Sequence, residues 1–321
     1  MTKKISRESQ INILKTIVGV TLFYLIVKEV DFASLKESFI QGAFQYLLLG
    51  VIVITLAQVF LQTLRFHYII RGLNLKYSFS LNLSLIGLFF NNLLPTAIGG
   101  DVARTILLRR KTGIGYTEAI TYVILHRASG LLTLISMFFL YLLFNFKYIF
   151  QIIRSLGLTV DSSFVPYVLI TALIVAIMAF LFKRRVRDFI KKSAATLAKF
   201  GKGQVLVIIV LALIYHLSTM LGFYFLVWFF HENIDFQSLV IVQTFTSVAA
   251  LIPISIGALG LLEGTIMGLF LFFGLSRLSS TGIALIIRLL LIIYALTGLT
   301  IILGKKENYK ISLFNKMAEE N

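Results

Sequence analysis

The 321 residues are 58% hydrophobic with a mean hydropathy of +0.93, where soluble globular chains hold about 45–50% apolar residues. There is no cysteine, which excludes disulfides, thiolate metal sites and cysteine nucleophiles. The net charge of +16 would raise nucleic-acid binding in a soluble protein, but in so apolar a chain the excess Lys and Arg mark cytoplasmic loops.

Several apolar runs reach the length of roughly 18 residues needed to cross a bilayer core of about 30 Å. The fold class expected is therefore all-α, a polytopic membrane protein; the alternating pattern of a membrane barrel is absent. The first run begins near Ile11, behind Lys3, Lys4 and Arg7. It is long and has no Ala-x-Ala site at its end, so it reads as an uncleaved span over 11–28. Further full spans are predicted at 44–64, 128–146, 164–182, 204–230 and 281–303. The polar connections reach only about 20 residues, so 1–321 reads as a single transmembrane domain.

Two other apolar regions, 79–108 and 239–273, hold two of the three prolines. Pro95 stands in Asn91-Asn92-Leu93-Leu94-Pro95-Thr96-Ala97-Ile98-Gly99-Gly100-Asp101, and Pro253 in Leu251-Ile252-Pro253-Ile254-Ser255-Ile256-Gly257-Ala258-Leu259-Gly260. Each proline is followed by glycine four residues on. That pattern predicts helices broken at membrane depth, where freed backbone groups are tolerated only inside protein or beside a wet cavity.

Orientation follows from basic residues. Segments 1–10, 65–77, 101–127, 183–203 and 304–321 together carry 23 Lys and Arg, and the segments 28–43, 147–163, 231–238 and 274–280 carry 5. The bias puts both termini in the cytoplasm. Region 79–108 has basic segments on both sides and should enter and leave on the cytoplasmic face. Region 239–273 is flanked by His231-Glu232-Asn233-Ile234-Asp235 and by a loop holding only Arg277, and should enter and leave on the outer face. Both read as re-entrant helical hairpins facing each other. Repeat one, about 11–146, and repeat two, about 164–303, each run span, span, hairpin, span, an inverted repeat with six full spans. The plain alternative is a pair of kinked spans.

Polar residues in these regions are candidates for a site. A helix starting near Gly100 would carry Asp101 in its first turn, where acids cap free amides. Arg104 lies three residues on, over the same face. A helix N-terminus beside an arginine suits a phosphate; the plainer reading is an Asp101–Arg104 pair. Asn91 and Asn92 precede this break. Arg127, at the predicted start of the third span, is either a membrane-surface anchor or a second clamp, and Ser129-Gly130 beside it would allow close helix approach. Glu263 is the one acid in the second broken region, and Arg288 lies about eight residues inside the last span; they are natural partners, as a structural ion pair or as a pair opened by a headgroup. His216, Gln58, Gln62 and Gln243 read mainly as interhelical hydrogen-bonding residues. The basic run from Lys183 to Lys192 is a topological signal that also suits anionic lipid. There is no phosphate-binding P-loop, and Gly113-x-Gly115 follows no strand.

These residues give the chain a resemblance to a known family, the flippase-like transmembrane region of lysylphosphatidylglycerol synthetases. Asn91, Pro95, Gly100, Asp101 and Arg104 resemble one family signature, with Arg127 matching a downstream arginine. Pro253, Gly257, Gly260 and Glu263 resemble a second. The resemblance covers about 11–303. His126 departs from it, standing where the family often has an acid. The resemblance implies movement of a polar lipid between leaflets. It implies no cofactor and no catalysis, since the chain lacks the soluble aminoacyl-transferase domain of the synthetases.

The expected function is a flippase for an aminoacyl-phosphatidylglycerol-like lipid or a lipid-linked sugar, in the cell (plasma or inner) membrane. The lipid headgroup site would comprise Arg104, Arg127, Asp101, Asn91, Asn92, Glu263 and Arg288. The helix breaks would be set by Pro95, Gly99, Gly100, Pro253, Gly257 and Gly260. The expected partners are membrane lipids and no nucleic acid; a synthetase or glycosyltransferase partner and a homo-oligomer stay open. Two other readings are a non-transporting subunit of such a synthetase or glycosyltransferase complex, and a small-solute secondary transporter.

Overall fold

A computed structural model describes residues 7–28, 30–93, 98–144, 191, 194, 196 and 198–304, among which there is no strand. α1 (Arg7–Val27) leads to a short α2 (Phe32–Gln41), whose first turn is capped by Asp31 accepting from the N–H groups of Ala33 and Ser34. α3 (Phe44–Thr55) runs through a π-helical turn, Leu56–Leu61, into α4 (Gln62–Ile69), making one rod of 26 residues. α5 (Tyr77–Leu93) and α6 (Gly99–Thr112) flank the first break, and α7 (Tyr116–Phe144) follows. The C-terminal part holds α8 (Lys202–Phe229), α9 (Leu239–Ala249), α10 (Leu261–Phe272) and α11 (Arg277–Gly304), with the second break between α9 and α10.

Four helices among the described residues are long and apolar enough to cross a membrane: Phe44–Ile69, Tyr116–Phe144, Lys202–Phe229 and Arg277–Gly304. They correspond to the predicted spans 44–64, 128–146, 204–230 and 281–303. The predicted span 11–28 is helical in α1, but its apolar part, Asn12–Val27, is shorter. The predicted span 164–182, the basic run at 183–192 apart from Lys191, and Pro95 lie outside the described residues.

Two boundaries differ from the hydropathy reading. The second rod continues past 64 to Ile69, and α7 begins at Tyr116 rather than 128. Hydropathy stops at the charged residues Arg65 and Arg127, yet Arg65 and the neighbouring His126 are buried against other helices, and Arg127 pairs with Asp101 of α6. A side chain facing protein need not match the lipid, and the backbone keeps its hydrogen bonds by staying helical.

The helix pairs at the two breaks pack by one rule. The arm before each break lies on the last long helix of the other half, α5 on α11 and α9 on α7. The arm after it lies on the last helix of its own half, α6 on α7 and α10 on α11. Between apolar helices in lipid the contact is made by close backbone approach rather than by a hydrophobic drive. Gly50 and Gly222 provide it for α3 and α8: a Cβ at Gly50 would sit 2.9 Å from Leu226 and 3.1 Å from the Gly222 carbonyl. Large apolar side chains such as Leu132, Phe139, Leu143 and Phe144 face outward.

Outside the spans, Glu232 ties the α8–α9 connection to the start of α11, accepting from Ser276 N–H at 3.0 Å and from the Ser279 hydroxyl at 2.9 Å. Partial burial pushes this carboxyl up, but the hydrogen bonds from Ser276 and Ser279 outweigh it and hold the group below its ordinary value of 4.5. A lowered folded pKa contributes stability that is present above the unfolded value and lost as pH falls through the folded one. The melting temperature in detergent should therefore fall on acidification below the ordinary value of 4.5, and Glu232→Gln should make that fall shallower. An acid slope identical in the variant would remove Glu232 from the balance.

Candidate functional site

The first break is closed by contacts between its own arms. Asn91, in the last turn of α5, accepts from Gly100 N–H at 2.8 Å and so caps α6 from the preceding helix. Asp101 stands in the first turn of α6, but the amide there is satisfied by Asn91, and Asp101 makes no cap hydrogen bond. The carboxylate serves two arginines instead: Arg127 Nε at 2.8 Å and Arg104 Nη1 at 3.8 Å. Arg104 is buried, lies over Gly87 and donates to the Ser84 carbonyl at 3.3 Å. It braces α5 against α6. Arg127 is about a third of the way along α7, not at its start, and its side chain is partly exposed.

The second break uses backbone that few residues tolerate. Gly257, Ala258 and Gly260 have φ of 56°, 54° and 79°, and Pro253 lies in the turn that precedes them. At Gly260 the left-handed backbone lies directly against Leu22 and Phe23 of α1, so glycine is needed twice over. Glu263 accepts from Gly260 N–H at 2.7 Å, the reach-back half of a capping box. Its other oxygen accepts from Arg288 Nε of α11. Arg288 also donates to the carbonyls of Gly257 and Ala258 at 3.2 and 3.3 Å. Glu263 and Arg288 are 0% and 5% exposed, so the pair stitches a strained loop to the last helix.

The two breaks meet. A Cβ at Gly257 would lie 3.0 Å from the Asn92 carbonyl. Between them is a cavity of about 280 Å³. Asn91, Asn92 and Arg127 reach it from the first half, and Pro253, Ser255 and Gly257 from the second. Asp101, Arg104, Glu263 and Arg288 are not among its lining residues. The predicted site residues thus divide into three that touch the cavity and four that hold its walls. Gly99 and Gly100 are buried at the start of α6, and a Cβ at Gly100 would fall 2.6 Å from Asn91 Oδ1.

Three features were not placed at the site from the sequence, although Gln58, Gln243 and His216 were read as interhelical hydrogen-bonding residues and do make such bonds. Gln58 lines the cavity from the π-helical turn, a helix irregularity common at functional sites. Gln243 lines it as well and donates to His216 Nδ1 at 2.8 Å, while His216 Nε2 bonds the Gly130 carbonyl at 3.0 Å. Arg65 is 3% exposed, with its guanidinium near His126 Nε2 at 3.3 Å and over the Tyr215 ring at 5.6 Å; its Nε and Nη1 have no partner. A helix-spaced face of Gln58, Gln62 and Arg65 was the available signal. Among the described residues, no group of three or more His, Asp or Glu could hold a metal ion.

Apolar rods, broken helices and polar groups turned inward define a multi-pass helical membrane protein. The chain belongs to the lysylphosphatidylglycerol synthase TM region family, whose pattern matches residues 12–298. No curated protein and no solved structure matches it. Family membership associates the chain with membrane lipids.

Proposed function

We propose that this protein moves a polar lipid between leaflets, the headgroup passing through the cavity where the two helix breaks meet. One observation carries the reading: a cavity flanked by residues of both breaks, largely apolar but holding Gln58, Asn91, Asn92, Arg127 and Gln243, inside a bundle that turns large apolar side chains outward. A headgroup crossing a bilayer needs such a place, because hydrocarbon offers no partner for its polar atoms. In this reading the broken pairs are re-entrant hairpins from opposite faces, both termini are cytoplasmic, and the halves form an inverted repeat. The reciprocal packing of α5 on α11 and α9 on α7 supports that arrangement. The chain itself performs no catalysis and works in the cell membrane.

Arg127 is the cation at the cavity wall, and its guanidinium offers N–H donors to the oxygens of a headgroup. Charged hydrogen bonds contribute about 1.5–3 kcal/mol each, and each 1.4 kcal/mol is about tenfold. Arg127→Ala should therefore slow headgroup translocation in proteoliposomes by about tenfold to a hundredfold, and Arg127→Lys should restore part of the rate. Wild-type rates in Arg127→Ala, with the protein folded and monodisperse, would exclude this arginine from the path.

A further inference from the structure

The wall of the cavity has a definite polarity of hydrogen bonding. The Gly130 carbonyl can only accept, so His216 Nε2 carries a proton. In the neutral imidazole, Nδ1 is then an acceptor. Gln243 must therefore offer it the amide N–H at 2.8 Å, which fixes the other end of that amide as oxygen. Gln243 is 3% exposed, and its Oε1 has no partner. Thr246 lies three residues on along α9, and its Oγ1 also lacks a partner. Both residues line the cavity. One buried acceptor, Gln243 Oε1, and one buried hydroxyl, Thr246 Oγ1, are thus without partners in the protein, and such groups are costly unless something fills them.

The charge of the wall narrows what that is. Among the described residues the cavity lining contains no Asp or Glu, and its charged member is Arg127, a cation. The nearest acids are engaged elsewhere, Asp101 on Arg127 and Glu263 on Arg288. A buried ammonium needs a carboxylate partner and would meet a guanidinium here. Hydroxyls both donate and accept, and amide and hydroxyl side chains such as Gln58, Asn92 and Ser247 supply the complement. The volume of about 280 Å³ is just below the range of small-molecule sites, roughly 300–1,000 Å³, and is enough for one sugar ring.

We infer that the cavity takes the uncharged, hydroxyl-rich headgroup of a sugar-bearing lipid, with Gln243 and Thr246 as its specificity residues, and does not take a cationic aminoacyl headgroup. The inference rests on the translocase reading for its membrane setting and adds the substrate class.

The full chain in lipid nanodiscs is tested for retention of monoglucosyl diacylglycerol, lysyl-phosphatidylglycerol and free methyl glucoside by native mass spectrometry. The glucolipid should be held about tenfold more tightly than the lysyl lipid, the worth of one well-placed hydrogen bond to a buried group. Thr246→Val, close to isosteric, and Gln243→Leu should each erode that preference several-fold, and Gln243→Glu should turn it toward the lysyl lipid. If Gln243→Leu does not fold, Thr246→Val alone decides. Preference of the wild type for the lysyl lipid, or wild-type selectivity in Thr246→Val, overturns the inference. Methyl glucoside displacing the glucolipid at equal concentration overturns its lipid part. Crossing is read separately in vesicles, by periodate oxidation of outward-facing glucose. Glucolipid retained but not moved refutes translocation and leaves the cavity chemistry standing; lysyl lipid moved in preference does the reverse.

Discussion

Glu263→Gln is expected to reduce the stability of the folded protein by about 3–5 kcal/mol, the usual cost of leaving one member of a buried ion pair alone. That is a large part of the roughly 5–15 kcal/mol by which folded domains are stable. The guanidinium of Arg288 would stay buried on α11 without a counter-charge, 5% exposed. The damage should spread to the second break, because Arg288 also holds the carbonyls of Gly257 and Ala258. Removing both charges in Glu263→Gln with Arg288→Met should recover part of the loss, since the uncompensated charge is gone. Recovery should be incomplete, because those two carbonyls then have no donor. Thermal unfolding in detergent of the two single variants and the double variant measures the coupling. The alternative, a charge pair opened by a passing headgroup, predicts something else: Glu263→Gln that melts like the wild type yet transports poorly. That outcome would sink the structural assignment. Neither residue lines the cavity, which favours the loss of stability.

What could be read in the chain, and what could not, follows from the range of each interaction. Pro253, Gly257 and Gly260 mark the second break because their constraints are local: proline removes a donor and glycine admits positive φ. Glu263 and Arg288 could be paired on paper because a buried charge must find its opposite, and few were on offer. Arg127 was read at the start of its span, as an anchor or as a second clamp, because hydropathy scores transfer to lipid; it lies about a third of the way along α7 and faces a carboxylate supplied by α6. Arg65 was lost for the same reason, read as part of a loop when it points at α7 and α8. Asp101 was expected to cap α6, and Asn91 takes that place from across the break, a tertiary contact that no local rule contains. The π-helical turn at Leu56–Leu61 left no trace in composition. The unpartnered acceptor of Gln243 could not be read either, since it depends on His216, whose tautomer is set by the Gly130 carbonyl.

Gly100→Ala should be the most damaging single methyl group in the first half. Its Cβ would overlap the Gly87 carbonyl and lie 2.6 Å from Asn91 Oδ1. The first of these is backbone and the second is held by its own hydrogen bond, so neither is a flexible side-chain end that could swing away. The arms of the break must separate instead. Overpacking of this kind costs about 1–3 kcal/mol, but the functional effect should exceed the loss of stability. Separation breaks the Asn91 cap and displaces Asp101, which holds Arg127 at the cavity wall through a 2.8 Å contact. Translocation should therefore fall by at least about tenfold even where the variant still folds, because an ion pair of this length is sensitive to shifts of an ångström. Gly115→Ala is the matched control. It adds the same methyl group in the α6–α7 connection, where nothing lies within 4 Å, so it should be neutral. If Gly100→Ala and Gly115→Ala transported alike, the first break would tolerate slack, and a site set by the Asp101–Arg127 pair could not be the part that handles the headgroup.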